Sequence, residues 1–510
     1  MPVSMRNVWI LLMAVLWTPQ SSRAAETPSP MQEFRFHRDL VLGTSMDLTV
    51  LAVDESHAGA VERQVIAEID RLAAILSTYE SGSELNRLNG SRSPVTCSPE
   101  LIEVLCVCER WRTRSGGAFN AQAAQIIDAW RQAEKTGQPP SESTLFALTQ
   151  QIDSRAWEVQ PGSTTAKRLG QGRVTVDALA KGYIVDKTVA AARKHASGVT
   201  GIMLDVGGDI VTWGTASAAA DRAPWQIAVA DPRHPQDNAP PLVTVRMSAG
   251  AIATSGNYAR YFQVGARRYS HIVDPRTGQP ADHVSSATAI AADCCTADAL
   301  ATILCVLRPQ QSLDLIRSLR NEGIKAECFI VDREGKQWSS PGWQALVEPE
   351  TKPILAMDAG GWQNELLITL SIMTPGGRKI HRPIVATWIE DAGGKPVRTL
   401  SVWGNETKYL KELSSWWSFA RGNQKLVRAV TRASRAPGRY ELVWDGKDDG
   451  GQVLPQGTYT VRVESAREKG RHVNMKGKIA CGEKVETAKI EGNSEIGEIT
   501  LSYGPREKKP

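Results

Sequence analysis

Apolar residues at Val61, Val65, Ile69, Leu72 and Leu76 recur every three or four positions, which predicts an amphipathic helix from Ala58 to Leu76 with one face in a core. Ahead of it, DLVLGTSMDLTVLAV at 39–53 carries the alternation of strand structure. A second helix is expected from Pro99 to Ser115, closed by Gly116-Gly117, because glycine suits a helix terminus. Further on, GIMLDV (201–206), WQIAVA (225–230) and AIATSG (251–256) read as strands, between helices at 178–195 and 295–320. This mixture predicts an α+β domain. From Glu365 the texture changes to short alternating runs separated by turn residues: LLITLSIMT, PIVATWIED, PVRTLSVWG, RYELVWDG, TYTVRVES and ITLSYG. Such a series predicts an all-β sandwich.

A chain of 510 residues exceeds one ordinary core, so two domains are expected: 32–343 and 363–505, joined by a linker at 344–362. The first 25 residues stand apart. Arg6 precedes the ten-residue apolar run Val8–Trp17, and Ser22-Arg23-Ala24-Ala25 supplies small residues for cleavage, the pattern of a signal peptide. Ten apolar residues fall well short of the roughly 20 that span a bilayer. No cysteine lies near the cleavage site, so a lipid anchor is not supported and a periplasmic or other extracytoplasmic location is expected.

Residues 1–25 contain Arg6 and Arg23 and no acid, so their removal takes the formal charge from +5 to +3. Basic and acidic residues are spread along the chain, apart from the basic tail Arg506–Lys509, and nucleic acid is not an expected partner. The eight cysteines include a C-x-C at Cys106 and Cys108 and the adjacent Cys294-Cys295, neither with a second pair at zinc spacing. Cys106, Cys108 and Cys305 sit in helix-like apolar runs and read as small core residues, while the sequence leaves disulfide pairing open. In the C-terminal part, Trp388, Trp403, Trp416, Trp417 and Trp444 read as core rather than as a ligand platform. Asp445, Asp448 and Asp449 read as an Asp-Gly turn rather than a calcium loop.

The stretch Ala253–Pro280, ATSGNYARYFQVGARRYSHIVDPRTGQP, is polar, aromatic and turn-forming at once. Asp-Pro and Thr-Gly are turn dipeptides, so His271 is expected to end a strand and enter an ordered loop, where functional groups tend to sit. Taken alone, His271 fits a structural hairpin histidine equally well. Asp298 and Thr302 are four residues apart on an expected helix, so their oxygens point the same way and form half of an oxygen-donor site.

Several stretches fall in a definite order: LSTYESGSELNRLN (76–89), GGAFN (116–120), VTVDALAKGYIVD (174–186), LDVGGDIVTWG (204–214), SHIVDPRTG (270–278) and ADALATIL (297–304). Together they make 32–343 resemble the ApbE-like flavin transferases, the FAD:protein FMN transferases. The C-terminal segment resembles the small Ig-like β domain appended to some members, and 444–464 resembles the hairpin of flagellar hook-capping Ig-like modules. The resemblance implies transfer of FMN from the substrate FAD to a Thr or Ser of an acceptor protein, with Mg2+ and release of AMP. It further implies a metal held by Asp298, Thr302 and the Ala178 carbonyl. His271 is implied as general base, with Asp274 orienting it or the metal. Contacts to FAD are implied at Leu42, Tyr79, Ala118, Phe119, Asn120, Thr175, Lys181 and Ile272. The acceptor is expected to be an extracytoplasmic or membrane-bound redox protein. Hydrolysis of FAD to FMN and AMP, and flavin binding without turnover, are the competing readings.

The chain also departs from the family pattern. The usual Asp-Leu-Gly-Gly-Ile-Ala-Lys-Gly run appears as Thr175-Val-Asp177-Ala178-Leu-Ala-Lys181-Gly182. Asn120 replaces an Asp, and Leu42-Gly43-Thr44 stands where Met-Gly-Thr is common. These changes bear on the adenine contacts more than on the metal site.

Overall fold

The computed structural model describes residues 31–505 apart from 153, 218–222, 235, 237, 258–259, 349–361, 374–381, 405–406, 433, 436 and 468–470. The expected signal peptide, the basic tail and most of the 344–362 linker lie outside these residues. Among them, Leu346 and Val347 pack on the first domain and Trp362 in the core of the second.

The first domain is built on an eight-stranded sheet in the order Gln32–Val41, Thr44–Ala52, Val199–Val206, Asp209–Gly214, Gly250–Gly256, Val284–Ala291, Ala326–Asp332, Gln337–Ser339. Every neighbouring pair is antiparallel. Side chains alternate across it. Ile202, Leu204 and Val206 face the main core, whereas Met203, Ile210, Ile252 and Ile290 face the opposite side. That opposite side is covered by a ribbon, Trp225–Val229 paired with Val243–Met247, so the expected WQIAVA strand lies outside the large sheet.

Helices Glu55–Leu76, Asp177–Lys194 and Cys294–Val306 contribute to the main core. In the first of these, Asp54 caps the N-terminus by accepting from His57 N, and Val61, Val65, Ile69, Leu72 and Leu76 are all buried as their spacing predicts. Ser98 and Pro99 start the Pro99–Arg114 helix in the same way. The expected 295–320 helix is two helices, Cys294–Val306 and Pro309–Asn321. The break falls at Leu307-Arg308, both extended, because proline disfavours helical geometry in the residue before it and starts the next helix instead.

Two of these helices cross with almost no space between them. A Cβ on Gly182 would fall 2.3 Å from the Cys294 carbonyl oxygen and 2.9 Å from the Asp298 Cβ. Asp186, one turn further on, accepts hydrogen bonds from the Cys294 and Cys295 amides at 2.8 Å each, satisfying free donors at the start of the second helix. All eight cysteines are free thiols, and all except Cys106 are buried. No described helix is long and apolar enough to cross a membrane.

The second domain has two sheets, one of four strands (Gly438–Trp444, Asn364–Ile372, Ile499–Pro505, Glu486–Ile490) and one of five (Thr431–Arg432, Pro396–Trp403, Ile384–Glu390, Gly457–Ala466, His472–Cys481). Trp362, Trp403 and Trp444 are buried in the main core, and Trp388 and Trp416 in a second cluster beneath the short helices Ser414–Ala420 and Gln424–Val430. Trp416 and Trp417 are thus helical, not strand, residues. The 444–464 segment is not a hairpin, since Gly438–Trp444 joins the four-stranded sheet and Gly457–Ala466 the five-stranded one. Asp448 accepts from the Gly450 and Gln452 amides, Asp449 from the Thr399 amide, and Asp445 pairs with Lys447. The three carboxylates serve turns and an ion pair, in keeping with the Asp-Gly turn.

Gly182→Ala should lower stability by about 1–3 kcal/mol, because the added methyl meets backbone that cannot swing aside. Gly90→Ala, with nothing within 4 Å of its Cβ position, should stay within about 0.5 kcal/mol of the wild type. Urea midpoints of the two variants test the difference.

Candidate functional site

A cavity of about 1250 Å3 opens where the Asp177–Lys194 and Cys294–Val306 helices meet the hairpin tip at 42–43, the loop after Gly117 and the segments at 254–256 and 271–275. Its volume exceeds the roughly 300–1,000 Å3 of a typical small-molecule site, which suits a dinucleotide.

The helix crossing sets the chemistry of the floor. Gly182 allows the close approach, and Lys181 beside it reaches into the cavity and donates to Asp209 Oδ2. Asp209 is buried, held just past a two-residue turn whose glycines both have positive φ, Gly207 at 65° and Gly208 at 93°. A Cβ on Gly207 would also fall 2.6 Å from the Thr44 side chain. Asp205, before that turn, accepts from the Gly208 amide at 2.8 Å. Asp298 is 4 % exposed and accepts from the Gly182 amide at 3.1 Å. Thr302, one turn along the same helix, lies 3.5 Å from the Ser255 hydroxyl.

Three carboxyls therefore share one lysine. Burial raises the Asp298 pKa and Asp209 raises it further, against the opposing pull of Lys181. Burial likewise lifts Asp205 to about 6 and raises Asp209. Lys181 is shifted upward: burial disfavours its charge, but Asp298 and Asp209 outweigh that. The floor carries more potential negative charge than Lys181 neutralises. Asp298, Thr302 and Ala178 all line the cavity, and the carboxylate and hydroxyl are hard oxygen donors in a place where a further cation relieves repulsion. The residues present fit a magnesium ion.

His271 also lines the cavity, and its Nδ1 donates to the Arg260 carbonyl at 3.0 Å, which fixes the tautomer and leaves Nε2 as an acceptor. Burial lowers the His271 pKa below 6.5, and the Arg260 charge acts in the same direction. Asp274 is turned elsewhere. Its carboxylate takes Arg276 Nε at 2.9 Å and Nη2 at 2.8 Å, and its backbone closes the 274–279 turn. It lines a separate cavity of about 300 Å3, not the large one. The group holding His271 in place is the Arg260 carbonyl.

The other expected residues come together at the large cavity: Leu42, Tyr79, Ala118, Phe119, Asn120, Thr175, Lys181 and Ile272 all line it. Tyr79 stands at the rim, 79 % exposed, while Ala118, Phe119 and Ile272 are buried in the wall. Asn120 spends its amide on structural contacts, donating to the Ile152 carbonyl and accepting from the Gln122 amide. Thr175 accepts from the Asp177 amide at the helix start. Asp177 is exposed to the cavity and accepts from the Thr78 hydroxyl at 3.0 Å. Sequence reasoning missed Asp205, Arg260 and the pairing of Asp209 with Lys181. The Asp209 pairing was hinted at only by the glycine turn.

A nucleotide-sized cavity over a buried acid and lysine cluster, in a mixed α+β domain, defines a ligand-processing domain followed by a separate β domain. Residues 42–327, more than half of the chain, match the model of the ApbE family, and the chain belongs to that family. Residues 365–498 match a second family, described as a predicted periplasmic protein (DUF2271). Among curated relatives, the FAD:protein FMN transferase of Klebsiella pneumoniae is 26% identical, over 64% of this chain and 93% of that protein. That of Treponema pallidum is 31% identical over 58% and 87%. The ApbE protein of Thermotoga maritima has a similar fold, with TM-score 0.55 and 25% identity over 62% of this chain and all of that one. The flavin transferase ApbE of Vibrio cholerae has TM-score 0.51 at 23% identity over the same share of this chain.

The carboxyls raised by burial make stability depend on pH. Asp205, at about 6, and Asp186, which burial lifts to about 7, hold protons in the fold that the unfolded chain has already released. Their contribution is complete below about pH 4 and is lost as pH rises through about 6 to 7. With chelator present, the urea midpoint should fall between pH 5 and 8. Asp205→Asn keeps the acceptor for Gly208 and should flatten that fall by about 1–2 kcal/mol.

Proposed function

We propose that this chain is a FAD:protein FMN transferase of the extracytoplasmic space, moving FMN from FAD to a Thr or Ser hydroxyl of an acceptor protein. The observation that carries the reading is that one cavity is lined both by a lysine with buried acids and by a histidine whose Nδ1 is held by a backbone carbonyl, leaving Nε2 as an acceptor. The description of the family matched by residues 365–498 supports a periplasmic location.

In the transfer, the acceptor oxygen attacks the phosphorus on the riboflavin side of the pyrophosphate. A phosphodiester forms, the pyrophosphate P–O bond breaks and AMP leaves. His271 Nε2 takes the hydroxyl proton, a role suited to an imidazole held neutral by burial. Lys181 offsets phosphate charge from the floor, and Gly207-Gly208 lets backbone approach the ligand closely. Tyr79, Phe119, Ile272 and Leu42 supply apolar wall for the flavin and adenine rings. Asp298, Thr302 and the Ala178 carbonyl would hold Mg2+, which supplies charge stabilisation at the phosphoryl oxygens. Asp274 supports the loop carrying His271 through its turn and its pair with Arg276. The acceptor is a redox protein of the same compartment, where a covalently held flavin serves electron transfer.

Incubation with FAD, Mg2+ and an extracytoplasmic extract should give a flavin-fluorescent band that survives denaturation, with AMP in solution. His271→Ala should lower the rate by about 10²–10⁴-fold. The lowered His271 pKa should shift the ascending limb of kcat/KM to lower pH than an ordinary histidine would give. AMP release with no labelled band, even with a purified acceptor, would favour hydrolysis instead.

A further inference from the structure

The C-terminal β domain reaches the flavin cavity through a half-buried ion pair. Arg382, with a side chain only 11% exposed, donates from Nη1 to Asp39 Oδ1 at 2.5 Å, and Ser434 lies 3.4 Å from Asp39 Oδ2. Asp39 belongs to the first domain and lines the cavity. It directly precedes the least relaxed backbone in the described structure: Leu40 has φ 60° and Leu42 has φ 48°, the only described non-glycine residues with positive φ. Leu42 and Gly43 form the two-residue turn between Val41 and Thr44, a geometry that favours Asn or Gly at both central positions. A leucine there costs about 1–3 kcal/mol and persists only where its surroundings enforce it.

A line of charges flanks it. Behind Asp39, His37 donates from Nε2 to Asp39 at 3.1 Å and from Nδ1 to Asp47 at 3.0 Å. Burial pulls the His37 pKa down, but hydrogen bonds to Asp39 and Asp47 outweigh it and lift the pKa to about 9. Asp47 in turn acts on Asp205 at the cavity floor. The hairpin tip is thus pinned from one side by its own domain and from the other by Arg382.

We infer that Arg382 is a positioning residue for the flavin site: by holding Asp39 it steadies the Leu40–Gly43 tip at the cavity, so the C-terminal domain contributes to the positioning of one cavity wall. This rests on the reading of the cavity as the FAD site. The two domains also touch where Asn238 exchanges two hydrogen bonds with the Val443 backbone, at 2.7 and 2.9 Å. Asn238 does not line the cavity, so that contact serves docking alone.

The test compares full-length Arg382→Ala, Arg382→Lys and Asn238→Ala, reading the FAD dissociation constant by flavin fluorescence and KM and kcat by AMP release. Arg382→Ala should weaken FAD binding and raise KM about tenfold with kcat within about twofold, the signature of lost ligand binding rather than lost chemistry. Arg382→Lys, which keeps a charged donor for Asp39, should recover most of the affinity, and Asn238→Ala should change neither constant. Unchanged affinity in Arg382→Ala overturns the inference. So does an equal loss in Asn238→Ala accompanied by a lowered melting midpoint, which would mean that docking in general matters and the hairpin contact does not. Failure of the wild type to label any protein would count against the transferase reading alone, since the dissociation constants still decide the role of Arg382.

Discussion

The close crossing of the Asp177–Lys194 and Cys294–Val306 helices governs the rest of the first domain. Gly182 has no room for a side chain because the Cys294 carbonyl occupies that space. The same contact brings Asp298 to the Gly182 amide and sets Lys181 beside Asp209. Packing and chemistry are therefore one constraint: without the close approach, the carboxyls and the lysine would not share a cavity floor. Their raised pKa values measure the cost of this arrangement, since each acid is buried with too little positive charge around it. A site with such an imbalance is suited to a ligand that brings its own cation.

Much of this was legible in the sequence. The periodicity of Val61 to Leu76 located a core helix, and the i, i+4 spacing of Asp298 and Thr302 placed both on one side of a helix lining the cavity. Twelve of the thirteen expected site residues line one cavity. Asp274 is the exception. The resemblance implied that it orients His271 or the metal, but the Asp-Pro-Arg-Thr-Gly loop satisfies its own carboxylate with Arg276 two residues on, a local closure that a motif does not reveal. The Lys181–Asp209 pair was hidden because it joins separate segments, and the Arg260 carbonyl because it meets His271 only once Tyr261–Val264 and Arg267–Ser270 pair.

In the second domain the alternating runs gave the strands, but their partners depended on long-range pairing. A turn-rich segment with one isolated bridge, Lys447 to Val453, reads as a hairpin locally although its flanking strands enter different sheets. The helices carrying Trp416 lacked a long period, and they form because they cover one sheet and take the buried Glu464 carboxylate at the Ser415 and Trp416 amides. The second domain is thus a separately cored unit that nonetheless meets the first at Asp39, beside the cavity.

The central claim is that the cavity transfers FMN to protein rather than to water. The most direct measurement uses FAD radiolabelled at the phosphate next to riboflavin, with Mg2+ and a purified acceptor protein. The account predicts label bound to a Thr or Ser of the acceptor through a phosphodiester, with unlabelled AMP released in equal amount. Label recovered only as free FMN, or left in FAD although FAD is bound, would contradict it.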